Sequence, residues 1–397
     1  MKHLSIIASA LLFAGMAVAA DHGDHKPANC AETSLTCADK ATPFFAADGA
    51  LWLAWSANGR VAVQKSTDLG RTFTSAVFVN ETEKLDGGAD GRPQITVDRS
   101  GRATVAYTIA KDSHYSGQVM VTWSDNPLKG FGGAQKLTAD TASQRFVSFG
   151  LDGDGRVFAA WIDKRNLVAA EKAGQKYAGA ALAFAWAGPG QDFAPPRIAK
   201  DNTCECCRIG IAFAGPKKPV VIWRHLYDGG VRDHAVTTFN DGLPGPVYRV
   251  AVDKWKIDAC PHQGPSIAVG GNGTYHATWF TGGSAREGVF YARSLDGGRT
   301  FSAPLQIGDN SRQPSRPYVL TNGSAVWLVW KEFDGDQSVV YGMQSRDDGV
   351  TWSTPKALAN TTDASDHPLL IRSGEKVFLS WLTHKEGYRL MALEGAL

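Results

Sequence analysis

Four cysteines and two histidines in this chain have the residue types and spacing of soft-metal ligands. Cys204-Glu205-Cys206-Cys207 packs three thiols into four residues, and Cys260-Pro261-His262 adds a thiol and an imidazole downstream. Thiolates combined with imidazole select Cu(I), or Zn(II) where the site is tetrahedral. Near the other end stands Asp21-His22-Gly23-Asp24-His25. If the mature chain begins at Ala20, a terminal amine, two amides and the third-position imidazole form a square-planar Cu(II) chelate. The same cysteines also admit a purely structural role, because six is an even number and disulfides are the default in an exported chain. Cys30 is then expected to bridge Cys37 across a short loop. For Cys204, Cys206, Cys207 and Cys260, two bridges and a metal or redox site both remain open, since Cys206 and Cys207 pair with each other only as a vicinal bridge.

These residues must be positioned by something, and the chain supplies a repeat. Seven copies, roughly fifty residues apart, each run from an alternating apolar strand through a Gly, Asp or Asn turn into a strand ending in Trp or Tyr. The second strands end at Trp55, Tyr107, Trp161, Trp223, Trp279, Trp330 and Trp381. A third strand follows in every copy, as in Val61-Ala62-Val63 and Val289-Phe290-Tyr291. Such a series predicts an all-β fold: a single β-propeller of four-stranded antiparallel blades over residues 41–397, with seven blades favoured and six the alternative if the first and last copies share a blade. The last copy has room for three strands, so a fourth is expected from residues 34–41, and the segment 21–40 helps close the ring.

Residues 1–20 read as a signal peptide, with a basic start at Lys2 and His3, an apolar run from Leu4 to Val18 and the small residues Ala17-Val18-Ala19. The mature protein is therefore expected in the periplasm or outside the cell. No later stretch reaches the ~18 apolar residues of a spanning helix, so membrane insertion is not expected. The chain carries 41 Lys and Arg against 39 Asp and Glu with no basic block, which gives no reason to expect nucleic acid as a partner. A monomer is expected, with a metal ion or small ligand at the channel mouth and scope for a periplasmic protein partner.

Three copies carry a sharper turn. Ser66-Thr67-Asp68-Leu69-Gly70-Arg71-Thr72-Phe73, Ser294-Leu295-Asp296-Gly297-Gly298-Arg299-Thr300-Phe301 and Ser345-Arg346-Asp347-Asp348-Gly349-Val350-Thr351-Trp352 share Ser-x-Asp-x-Gly-x-Thr-aromatic. The Asp accepts hydrogen bonds from its own turn, the Gly takes a positive φ, and the aromatic packs between sheets. In this motif the chain resembles the sialidase-like, Asp-box (BNR) repeat propellers, and the resemblance in repeat pattern covers essentially the whole mature chain. It implies that Asp68, Asp296 and Asp347 are structural. It also implies a sialidase-type glycoside hydrolase or carbohydrate-binding protein as the alternative function, using Arg92, Arg316 and Asp112 on an acidic ligand. A disulfide-braced platform for protein interaction is a further alternative.

In a propeller, the loops leading into the innermost strands all open on one face. The cysteine segments lead into the fourth and fifth innermost strands, His367 into the seventh, and Arg92 and Arg316 occupy the same register. The leading expectation is thus a copper site, with zinc as the other candidate, built from Cys204, Cys206, Cys207, Cys260, His262 and His367.

Overall fold

A computed structural model describes residues 30, 32–88, 90–112 and 116–397. The readings that fall on residues 1–29, the signal peptide and the Asp21-His22-Gly23-Asp24-His25 run, lie outside the described residues.

Alternation of apolar residues produces almost continuous antiparallel sheet. The first sheet holds Lys40–Phe45, Leu51–Ala57, Arg60–Ser66 and Val77–Phe78, and the second Gln94–Val97, Ala103–Ala110, Gly117–Ser124 and Gln135–Lys136. Two further four-stranded sheets span Ser266–Val269 to Leu305–Ile307 and Ser315–Asn322 to Lys356–Thr361. The central part of the chain forms one nine-stranded sheet, whose two halves meet at a single pair, Thr203 opposite His225. The strand that opens each repeat touches the next: Lys40–Phe45, Gln94–Val97, Gln144–Leu151, Gly210–Phe213, Ser266–Val269, Ser315–Asn322, Leu369–Ser373, and then Lys40–Phe45 again. The contacts close into a ring, and the architecture is all-β and propeller-like.

The repeated aromatic is the core of each layer. Trp55, Trp161, Trp223, Trp279, Trp330 and Trp381 are buried to 1% exposure or less. A buried indole N–H needs an acceptor; Gln64 serves Trp55, Asp163 serves Trp161, Asp253 serves Trp279 and Glu332 serves Trp330. The three Ser-x-Asp turns are closed identically. In each, the Asp side chain accepts from the Thr N–H and Thr hydroxyl four residues on, and the Ser hydroxyl donates to it. These bonds hold Asp68, Asp296 and Asp347 at a pKa of about 2. The turn glycines Gly70, Gly298 and Gly349 have φ of 80°, 87° and 79°, a region closed to most side chains.

One expectation is corrected. The last sheet, Leu369–Ser373, Lys376–Thr383 and Gly387–Ala392, keeps three strands, and residues 34–41 add none to it. Leu35–Cys37 instead forms a short 3₁₀ turn against Gly387–Ala392, while Lys40 and Ala41 begin the first strand of the first sheet. The ends are joined by the Ala41 N–H donating to Asp366 at 3.1 Å. Cys30 and Cys37 form a disulfide beside this junction.

Candidate metal centre beside a closed axis

The cysteine loop fills the fork in the nine-stranded sheet. Arg197–Thr203 and Gly210–Phe213 both pair with Pro219–Tyr227, through Thr203 opposite His225 and Gly210 opposite Ile222, and residues 204–209 loop out between them. The Cys204 N–H is held by the Arg224 carbonyl at 2.9 Å, so the loop starts from a fixed backbone point. Its apolar neighbours, Phe146, Phe158, Val221 and Trp223, exclude water from the sulfurs.

Cys204, Cys206, Cys207 and Cys260 carry no bridge in this structure. The Sγ atoms of Cys204, Cys206 and Cys207 lie within 4.8 Å of one another, with Cys204 and Cys206 3.7 Å apart, and all three residues are buried. Cys260 is exposed, and its sulfur lies near Cys206 but outside the three-sulfur group. Two arginines reach the group. Arg224 Nε donates to Cys207 Sγ at 3.4 Å; Arg232 Nη1 donates to Cys204 Sγ at 3.7 Å and to the Ala259 carbonyl at 3.1 Å. Hydrogen bonds from Cys206 and Cys207, backed by the charges of both arginines, hold the Cys204 thiol well below its ordinary pKa against the opposing effect of burial. The Cys206 thiol, facing Cys204, Cys207 and Cys260, is pushed up. With its thiol lowered in this way by its neighbours, Cys204 is a candidate metal ligand. Neither arginine was identifiable from the sequence, because each reaches the sulfurs only through the pairing of Pro219–Tyr227 with Val231–Asn240.

Gly264 lets the second cysteine segment dock on the first. A Cβ there would stand 2.1 Å from Arg208 Cγ and 2.7 Å from the Arg208 carbonyl oxygen. No side chain fits.

The two histidines expected as ligands are elsewhere. His262 lies against the Phe146 ring, centroids 6.1 Å apart, and is not one of the clustered ligands. His367 Nδ1 is 3.1 Å from Arg208 Nη1, and burial among Arg316, Arg92, Arg208 and Lys331 drives its pKa well down. It belongs to an ion-pair network at the axis, and the expected six-residue ligand set contracts to the cysteines.

That network is organised by Asp90, which the sequence reading passed over. Its carboxylate is fully buried and accepts from the Arg208 N–H at 3.0 Å, the Gly264 N–H at 3.0 Å and Arg316 Nη1 at 3.1 Å. The loop that carries it is pinned by Lys40 Nζ on the Gly87 and Gly88 carbonyls and by Arg145 on Asp86 at 2.6 Å. Lys40, Arg145, Arg208, Gly264 and Arg316, each from a different repeat, therefore converge on one carboxylate-bearing loop. Arg92 is paired with Asp366. The two arginines expected to clamp an acidic ligand are thus both engaged by the chain's own aspartates. Asp112 sits in an exposed turn, accepting from the Ser116 N–H at 3.1 Å, and makes no contact with either arginine among the described residues. The Gly87-Gly88 pair beside Asp90 is the sequence signal that would have pointed to close backbone approach.

No family model and no curated protein matches this chain. Solved structures do. A lectin, BP39L from Burkholderia pseudomallei, is similar at a TM-score of 0.60 and 9% identity, covering 89% of this chain and 97% of the lectin. An ulvan lyase of polysaccharide lyase family PL25 gives 0.55 at 11% identity, covering 89% and 95%. The NanB sialidase from Streptococcus pneumoniae gives 0.48 at 11% identity, covering 84% and 70%, a likeness too slight to carry weight. At such identities the first two establish a shared fold and nothing about chemistry.

Proposed function

We propose that this chain is an exported, seven-bladed β-propeller that binds one soft metal ion, Cu(I), on Cys204, Cys206 and Cys207 for metal handling. The ring of seven opening strands supports the blade number, and the signal-like first twenty residues support export. The observation that carries the function is the buried group of three thiols with two arginines on it. Three thiolates and one monovalent cation bear a charge of −2, which Arg224 and Arg232 cancel, and a buried charge must be cancelled to be tolerated. Zinc reaches the same balance only with Cys260 as a fourth thiolate, and Cys260 lies outside the tight group. Soft thiolate ligands suit Cu(I) on chemical grounds as well. The test is metal analysis of the protein purified under reducing conditions with copper supplied. One copper per chain is expected, and the Cys206→Ser, Cys207→Ser double variant is expected to lose it; copper retained by that variant refutes the assignment.

A second reading, carbohydrate binding, is what the fold likeness favours, since the similar structures include a lectin and a polysaccharide lyase. In this chain it is supported by a cavity of about 220 Å³ between the first two sheets, lined by Lys40, Glu83, Asp86, Arg92 and Tyr107. Tyr107 donates to Glu83 at 3.2 Å there, a Tyr–Glu pair that the sequence did not reveal. Burial and the Glu83 charge push the Tyr107 hydroxyl up, away from a nucleophilic phenolate. With Arg92 and Arg316 occupied, this reading supports a sugar-binding role over sialoside hydrolysis. Turnover of a fluorogenic sialoside would reverse that order.

A further inference from the structure

The surroundings of the thiols raise a difficulty for any free cation. Arg224 and Arg232 touch the sulfurs directly, and basic residues line a groove on the adjoining segment. A groove of about 760 Å³ is lined by Val231, Arg249, Lys254, Lys256 and Ser284. It borders the centre through shared backbone: Val231 pairs with Lys256, and the next residue, Arg232, donates its N–H to the Trp255 carbonyl at 2.7 Å while its side chain holds Cys204 and Ala259. The segment then runs from Lys256 to Cys260, the one exposed sulfur of the four. Asp233 and Arg249 neutralise each other, as do Asp253 and Arg286, so the charge of the groove comes from its lysines. Lys254 and Lys256 are exposed against a single exposed acid in the segment, Asp258. A bare ion needs no such volume and is repelled by such a field. A groove of several hundred Å³ suits a molecule of small-peptide size.

Resting on the metal reading above, we propose that this groove receives the ion as an anionic complex with a small acidic thiol, and that Cys260 is the residue that takes it over. The step is ligand exchange without redox change. A copper–sulfur bond to the carrier breaks as one to Cys260 Sγ forms, the Cys260 proton passes to the departing carrier thiolate, and copper remains Cu(I). Cys206, the neighbour of Cys260 within the buried group, then takes the ion inward and returns its proton to Cys260.

The test compares loading rates of the reduced full chain from two probes, the anionic Cu(I)–glutathione complex and the cationic Cu(I)–acetonitrile complex, followed by a chromophoric Cu(I) chelator. A one-signed cleft raises on-rates of an opposite charge by 10-fold or more. The Lys254→Glu, Lys256→Glu variant is therefore expected to load from the glutathione complex about 10-fold more slowly. Its loading from the acetonitrile complex should be unchanged or faster, with the final stoichiometry preserved. Equal rates for wild type and variant with both probes overturn the groove proposal and leave the centre standing. Absence of uptake from either probe overturns the centre itself.

Discussion

At the scale of single residues, the chain separates groups that a shared register in the repeats had joined. Cys204, Cys206 and Cys207 share one buried pocket, whereas His367 is taken by the axial ions, where burial drives its pKa well down. Burial has a measurable consequence at another histidine. His276 is fully buried between Tyr291, whose hydroxyl is 2.7 Å from Nδ1, and Asp348, 3.2 Å from Nε2. Desolvation lowers its pKa from 6.5 to about 4, with Asp348 opposing. The unfolded chain then binds the proton that the folded chain refuses, so this residue's contribution to stability is complete above about pH 6.5 and is lost as pH falls toward 4. The shift corresponds to roughly 3 kcal/mol. Denaturant melts at pH 7 and pH 4.5 should show a smaller acid-induced loss in His276→Gln than in wild type; equal losses would exonerate His276.

At the scale of elements, loops carry the chemistry and sheets only aim them. The loop from Asp86 to Gly91 is the clearest case, because its Asp90 neutralises Arg208 and Arg316 in the interior. Replacing Asp90 with Ala leaves two buried cations unpaired, and such a loss costs about 3 to 5 kcal/mol. The change should appear as a lowered denaturation midpoint; a midpoint within error of wild type would mean that Asp90 is not the keystone. This loop also marks where sequence reasoning stopped. Strands, turns and tryptophans were legible because each is signalled within a few residues by alternation, by a glycine needing positive φ, or by a repeated aromatic. The partners of Asp90 lie 118 to 226 residues away and leave no local pattern. The fourth strand expected from residues 34–41 failed for a related reason: Lys40 and Ala41 fit the first sheet's pattern equally well, and local signals could not rank the two uses.

At the scale of the whole molecule, the packing of consecutive repeats brings the segments of Cys204 and Cys260 together although more than fifty residues separate them. Residues from several repeats meet around Asp90 and Asp366, and the groove segment adjoins the centre through the Val231–Lys256 and Arg232–Trp255 pairs. The cysteines were legible as a pair of segments in matching register. Their division into three buried sulfurs and one exposed one was not, since it depends on the fork between Thr203 and Gly210. The central claim is that those three sulfurs hold a single Cu(I). X-ray absorption at the copper edge of the loaded, reduced protein measures this directly: the account predicts monovalent copper with three sulfur neighbours and no nitrogen, and a shell containing imidazole nitrogen, or copper bound with Cys204, Cys206 and Cys207 all alkylated, would contradict it.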